Sequence, residues 1–291
     1  MNILEIVRSV ANLKDSLANN SELKMGVVPT MGALHKGHKA LLDVARKECK
    51  FMVATSFVNP LQFGREADLS SYPRSRDEDM TIFEQAGTDL VWEPSFTDVY
   101  PDQFETRVKM GVFAEKLEGI YRPNHFDGVA TILCKIFNLI RPHMAYFGQK
   151  DWQQTRVVQK LIYDLNFDVE LRVIGTVRDT DGLAVSSRNR LLLPEQRSSA
   201  TKLYKALKVG IHSFQHGELD CDILRKKMLD VLIPDEDVRV EYLSIADAFE
   251  LVELKKIRGP AVFSGAVWID KVRLIDNVLC GVDIEGLVDA T

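Results

Sequence analysis

Through its first 176 residues the chain alternates apolar, β-branched runs with segments of helical period, and this alternation limits its fold more than any other feature. "KMGVVPT" (24–30), "KFMVATSFV" (50–58), "DLVWEP" (89–94), "MAYFG" (144–148) and "DVELRVIGT" (168–176) read as strands. Between them "HKALLDVARKEC" (38–49), "SRDEDMTIFEQAG" (75–87, with Gly87 as its stop), "GVATILCKIFNLI" (128–140) and "DWQQTRVVQKLIYDL" (151–165) repeat their apolar residues at helical spacing. The most apolar of these, "VATILCKIFNLI", is interrupted by Lys135 and is well short of a bilayer span, so it predicts a buried helix. Such an order predicts a parallel sheet with right-handed crossovers and helices on both faces.

From Asp179 onward the order changes. "PEQRSSATKLYKALKVGIHSF" (194–214) and "DCDILRKKMLDVLI" (220–233) are amphipathic helices, followed by the strands "VRVEYLSI" (238–245), "PAVFSGAVWI" (260–269) and "VRLIDNVL" (272–279). Helices followed by strands, without alternation, predict a small α+β domain with an antiparallel sheet. A chain of 291 residues has room for two such domains, expected at 1–176 and 177–291.

A net charge of -5 with no long Lys/Arg run gives no electrostatic reason to expect a nucleic-acid partner. Small molecules are the expected ligands. The four cysteines stand far apart with no Cys-x-x-Cys pair, as in reduced thiols of a cytoplasmic protein. "MNILEIVRSV" lacks the basic start and small-residue cleavage site of a signal peptide, and no membrane association is expected.

Four polar clusters follow predicted strands: "PTMGALHKGH" (29–38), "NPLQF" (59–63), "GQKDWQQ" (148–154) and "RDTDGLAVSSRN" (178–189). Open parallel sheets bind ligands beyond the carboxyl ends of their strands, so four clusters in that location predict one site. In the first cluster Gly32 and Gly37 allow close backbone approach, and a helix beginning near Gly37 turns its free N–H groups and positive dipole end toward an anion. His35 and His38 share a face there as neutral imidazoles able to donate to phosphate oxygens. Capping or surface histidines are the plainer alternative, and a His-x-x-His metal pair ranks below phosphate binding because no third ligand stands at an obvious spacing.

Lys150 offers a point charge for phosphate, and Gln154 a two-way hydrogen-bonding group one turn later, although this stretch taken alone reads more readily as a helix cap at Asp151 beside a solvated Lys150. Ser186, Ser187 and Arg188 suit a phosphate clamp or a capped turn. Asn59 and Pro60 read as loop formers, while Phe57 and Phe63 suit the core better than a ligand.

"VPTMGALHKGH", "FVNPLQF", "YPR", "RPNHFDGVATI", "FGQKDWQQ", "DGLAVSSRN" and "RLIDN" together resemble the pantoate-β-alanine ligase family in order and spacing, over essentially the whole chain. Departures from its commonest pattern are Val185 before "SSRN", Asn124 in place of a Gly, and the stretch "GAVWIDKV" upstream of "RLIDN". The resemblance implies a Rossmann-like parallel sheet of the His-x-Gly-His nucleotidylyltransferase type with a smaller α+β C-terminal domain. It also implies ATP-dependent condensation of pantoate with β-alanine through a pantoyl-adenylate, with Mg2+ on the phosphates, ligands unassigned, and a homodimer.

By the same resemblance His35 and His38 would hold the ATP phosphates, with His38 as the catalytic donor and Lys150 and Arg188 assisting. The ATP site would comprise Met31, Gly32, Ala33, Leu34, Lys36 and Gly37 beside the two histidines. Gly148, Gln149, Asp151, Val177, Val185, Ser186 and Ser187 would complete it. Gln62 and Gln154 would bind the polar groups of pantoate, and Pro29, Met31 and Phe57 its methyl groups. A nucleotidylyltransferase with another acceptor and a non-catalytic nucleotide sensor are the alternatives. Such an acceptor would favour more cations around Gln62 and Gln154, and a sensor would have no use for a second polar pocket.

Overall fold

Valine and other apolar residues in unbroken runs form strands that can bury both faces, and the first part of the chain does this. In the computed structural model, which describes residues 3–64, 66–282 and 287–288, six strands form in the first 174 residues. They are β1 (Glu5–Val7), β2 (Met25–Thr30), β3 (Phe51–Ser56), β4 (Leu90–Trp92), β5 (Met144–Gly148) and β6 (Glu170–Ile174). The order across the sheet is β1-β4-β3-β2-β5-β6, and β10 (Leu287–Val288) adds a seventh strand beside β6. Every pairing is parallel.

Val28, Met52, Ala54, Val91, Met144, Tyr146 and Ile174 pack on one face with Leu41, Leu42 and Ala45 of the helix Lys36–Glu48 and Phe83 of the helix Arg76–Gln85. Their neighbours in the strands, Val27, Val53, Leu90, Ala145 and Val173, are buried as well. Successive side chains point to opposite faces, so both faces are covered. The strand order reverses between β2 and β5, the position at which open α/β sheets form a ligand crevice.

The chain divides into two compact units, the second of which takes in residues 149–153 together with 176–285. There β7 (Val238–Asp247), β8 (Ala261–Ile269) and β9 (Val272–Cys280) form an antiparallel sheet in that order. Leu203, Ala206 and Leu207 of the helix Lys202–Gln215 and Leu224, Met228 and Leu232 of the helix Cys221–Leu232 share a core with Phe263, Val267 and Leu274 of this sheet. The expected long helix over 194–214 is three pieces: a 3-10 turn at Pro194–Gln196, a short helix at Arg197–Ala200, and Lys202–Gln215. Among the described residues no helix is long and apolar enough to cross a membrane.

Candidate active site

β2 ends in Pro29 and Thr30, and the backbone then makes two successive left-handed steps, at Gly32 (φ 75°) and Ala33 (φ 51°). Those steps turn the N–H groups of Ala33 and Leu34 onto the two carboxylate oxygens of buried Asp79, at 2.8 and 2.7 Å, and the Gly32 N–H onto Thr30 Oγ1 at 3.2 Å. Ser75 Oγ donates to Asp79 Oδ1 at 3.1 Å. The amides of Gly32, Ala33 and Leu34, expected near a ligand, are thus bonded within the protein.

The next helix begins at Lys36, with His35 as its N-cap: Nδ1 of His35 accepts the Gly37 N–H at 3.1 Å. A Cβ on Gly37 would stand 2.9 Å from the His35 ring, so the ring can lie over this backbone only because the residue is glycine. With Nδ1 an acceptor, a neutral His35 carries its proton on Nε2. The ring of His38, one turn along, lies 4.1 Å from that of His35, centroid to centroid. The two imidazoles are half-buried, while Lys36 between them is exposed.

Gln62 ends a short 3-10 turn, Pro60–Gln62, after β3. Its side chain is buried and its orientation is fixed from both sides: Oε1 accepts from Asn59 Nδ2 at 3.1 Å, and Nε2 lies 3.1 Å from Met31 Sδ. Asn59 is itself held by the Tyr100 hydroxyl, which donates to Oδ1 at 2.8 Å, and gives its second amide hydrogen to the Gly128 carbonyl at 3.0 Å. Burial pushes the Tyr100 phenol well above its ordinary range, so it remains a donor at neutral pH. His125 Nδ1 meets the Gln62 carbonyl at 2.7 Å. Phe57 lies 6.2 Å from the Tyr100 ring and borders this network. Pro29 and Met31 are half-buried. The first unit thus brings the two histidines together at one helix start, and Gln62, Met31 and Phe57 around Asn59 and Tyr100. Gln154 is half-buried near the start of the helix Trp152–Asp164.

Within the second unit Gln149, Lys150 and Asp151 form one 3-10 turn after Gly148, the last residue of β5. Lys150 Nζ is 3.9 Å from Asp151 Oδ1, with the lysine mostly covered and the aspartate half exposed. The carbonyls of Gln149 and Lys150 both accept from Asn277 Nδ2, at 3.0 and 2.8 Å. Val177 and Val185 pair across a tight hairpin through Val185 N–H and Val177 O at 3.0 Å. Ser186 then caps a 3-10 turn, Ser187–Leu191, by accepting the Arg188 N–H at 3.3 Å; Ser187 is buried and Arg188 half-buried. Among the described residues no group of three His, Cys, Asp or Glu side chains gathers as a metal site.

A family model described as pantoate-beta-alanine ligase matches residues 5–279 of the chain. The chain belongs to the pantoate-β-alanine ligase family. It is 46% identical over 278 residues to a pantothenate synthetase of Chloroflexus aggregans, covering 95% of this chain and 99% of that relative. Among solved structures, pantothenate synthetase from Thermus thermophilus superposes with a TM-score of 0.90 at 40% identity, covering 94% of this chain and 98% of that one. A pantoate-β-alanine ligase from Francisella tularensis, crystallised with β-γ ATP and β-alanine, gives a TM-score of 0.79 at 30% identity, covering 95% and 98%. The activity follows with the family: ATP-dependent condensation of pantoate with β-alanine to pantothenate.

Around the residues that the family's motifs single out, four others hold the geometry and were not expected as site residues. Asn59 and His125 fix Gln62, Asp79 fixes the turn before His35, and Asn277 holds the turn that carries Lys150. Asn59, His125 and Asn277 lie inside quoted motifs, which is a signal of sorts. Asp79 stands in a run of acids on a helix and looks like any solvated carboxylate until its fold partners are known.

Proposed function

We propose that the condensation runs through a pantoyl-adenylate, with the His-x-Gly-His segment serving ATP and Gln62 serving pantoate. A carboxylate oxygen of pantoate attacks the α-phosphorus, the α–β phosphoanhydride bond breaks, and pyrophosphate leaves. The β-alanine amine then attacks the acyl carbon, the amide forms with release of one proton, and AMP leaves. Negative charge develops on phosphate oxygens in the first step, so donors fixed in advance at those oxygens are the principal device. His35 and His38 are assigned this role, His38 as the donor to the reacting phosphate, and Lys150, Ser186, Ser187 and Arg188 are assigned to phosphate oxygens as well. Mg2+ enters with ATP as part of the substrate, since such ions favour phosphate oxygens and water.

The observation that carries this reading is the His35 cap. A ring whose Nδ1 is occupied by the Gly37 N–H has its proton on Nε2, which makes a neutral imidazole at a helix N-terminus a donor to an anion. The second support is the acid pocket. Gln62 offers a neutral, pre-aimed amide beside Met31, which suits a small branched hydroxy acid, with Pro29, Phe57 and Gln154 assigned to the same substrate. A division near residue 177, a homodimer through the first domain, and residence in the cytoplasm complete the proposal.

The decisive experiment is exchange of labelled pyrophosphate into ATP, with pantoate present and β-alanine absent. Exchange that depends on pantoate is expected, together with transfer of 18O from the pantoate carboxylate to AMP in the full reaction. His38→Ala should slow the exchange by roughly 10² to 10³ fold. Full turnover with no exchange and no 18O in AMP would overturn the adenylate route.

A further inference from the structure

The segment "RLIDN" on β9 carries no ligand role in the reading above, yet its last two residues are among the most buried polar groups of the second unit: Asp276 is 5% and Asn277 3% exposed. A buried asparagine is retained only where its amide is matched, and here it is matched to backbone. The two amide hydrogens of Asn277 go to consecutive carbonyls, those of Gln149 at 3.0 Å and Lys150 at 2.8 Å, across 127 and 128 residues of sequence. In return Oδ1 of Asn277 lies 3.4 Å from Gln149 Nε2. These bonds account for residues 149–153 belonging to the second unit although β5 ends immediately before them.

Asp276 fixes Asn277 in turn. Its Oδ1 accepts the Asn277 N–H at 2.8 Å, and its carboxylate takes a bidentate pair from Arg178 at 2.6 and 2.9 Å. The Arg178 guanidinium lies 3.6 Å over the Tyr204 ring. Arg178 also directly follows Val177 and bridges to Ala184, in the hairpin that leads into Ser186–Arg188. One rigid hub on β9 therefore holds the backbone of the Lys150 turn and the base of the segment carrying Arg188.

We infer that Asn277 is a positioning residue that places Lys150 for ATP. The inference rests on the assignment of Lys150 to phosphate given above. Lysine is a flexible point charge, so the place of its ammonium depends on where its backbone is held. Asparagine is the side chain the position requires, since two hydrogens on one nitrogen can reach two adjacent carbonyls. An aspartate of the same shape would set a carboxylate oxygen against both and drive the turn away.

The test is a double-mutant cycle on ATP affinity, read by calorimetry on the full chain, with Asn277→Asp, Lys150→Ala and the double variant, and thermal unfolding to establish that each is folded. Asn277→Asp is expected to weaken ATP about 10-fold or more, and to weaken it no further once Lys150 is already alanine. Asn277→Ala, which places no charge against the carbonyls, takes the same place in the cycle if the aspartate variant does not fold. An unchanged affinity in a folded Asn277 variant, or losses that multiply in the double variant, would overturn the inference while leaving Lys150 as a phosphate ligand. An unchanged affinity in Lys150→Ala alone would instead overturn the assignment of Lys150 on which the inference depends.

Discussion

Replacing Gly128 by alanine tests whether the turn bearing Gln62 is held where the geometry requires. Gly128 lies in the first turns of the helix His125–Ile140, against the backbone of Leu61 and Gln62. A Cβ there would stand 2.3 Å from the Leu61 carbonyl oxygen, 2.4 Å from its carbon and 2.6 Å from Gln62 N. A carbon meets a carbonyl oxygen at about 3.3 Å or more, so helix and turn must part by close to 1 Å. All three atoms are backbone, and no rotamer change relieves the contact. In an open helix Gly→Ala would gain about 1 kcal/mol. Overpacking costs roughly 1–3 kcal/mol, and the bond from Asn59 to the Gly128 carbonyl is stretched, a further loss of about 1 kcal/mol. The net is a destabilisation of about 1–3 kcal/mol, which lowers the melting temperature by roughly 3–10 °C. A displacement near 1 Å of a substrate-positioning group costs about 10²-fold, so kcat/KM for pantoate should fall by that order. Thermal unfolding and initial rates with pantoate varied at saturating ATP and β-alanine measure both. A Gly128→Ala protein that melts at or above the parent and keeps its kcat/KM would refute the reasoning.

Asp79→Ala removes the carboxylate that accepts from the buried N–H groups of both Ala33 and Leu34 and should cost about 2–4 kcal/mol in urea unfolding, with Asp79→Asn, which keeps one carbonyl oxygen, falling between it and the parent. ATP should slow amide exchange across residues 179–191, and Arg188→Ala should abolish that protection; protection that persists in the variant would remove Arg188 from the phosphate clamp. Burial raises all four thiols, with Cys134 pushed up to about 11, so at pH 8 its thiolate is only about one part in a thousand. Ellman's reagent should therefore react slowly with the native protein and quickly with four thiols in denaturant, a fast native reaction of Cys134 being the contrary result.

Pattern was enough to locate β2, β3, β5 and β6, runs of five or six residues, and the four helices of ten residues or more among them. The three-residue β4 was located through its wholly apolar run, while the short helices Glu66–Ser70, Phe96–Val99 and Glu118–Tyr121 carry no period to read. β1 and β10 were not legible: they are three and two residues long, too short to show any period, and they are strands only because a neighbour offers them an edge. The Pro194–Gln215 region reads as one helix because its apolar spacing is continuous, yet Pro194 and the residues after it settle into short turns first. At the site the histidines and Gln62 were visible through their motifs. What sets their geometry was not: Asp79 reaches across 45 and 46 residues to bond backbone, and Asn277, although it ends the quoted "RLIDN", reaches across 127 and 128 to do the same, and a backbone partner leaves no mark in a sequence.

The pairing of β10 with β6 has a consequence for the order in which the molecule is made. Leu287 and Val288 lie beside Val173 and Ile174, and the Gly175 N–H donates to the Val288 carbonyl at 2.9 Å. β6 leaves the ribosome more than a hundred residues before the strand that covers it. At roughly 5–20 residues per second that interval lasts on the order of 5–20 s. During it the nascent sheet ends in a parallel edge whose outer amides and carbonyls await a partner, the kind of edge on which another chain can add. Translation past residue 288 therefore closes a surface open to aggregation, and a chain released before residue 287 would carry that edge for its lifetime.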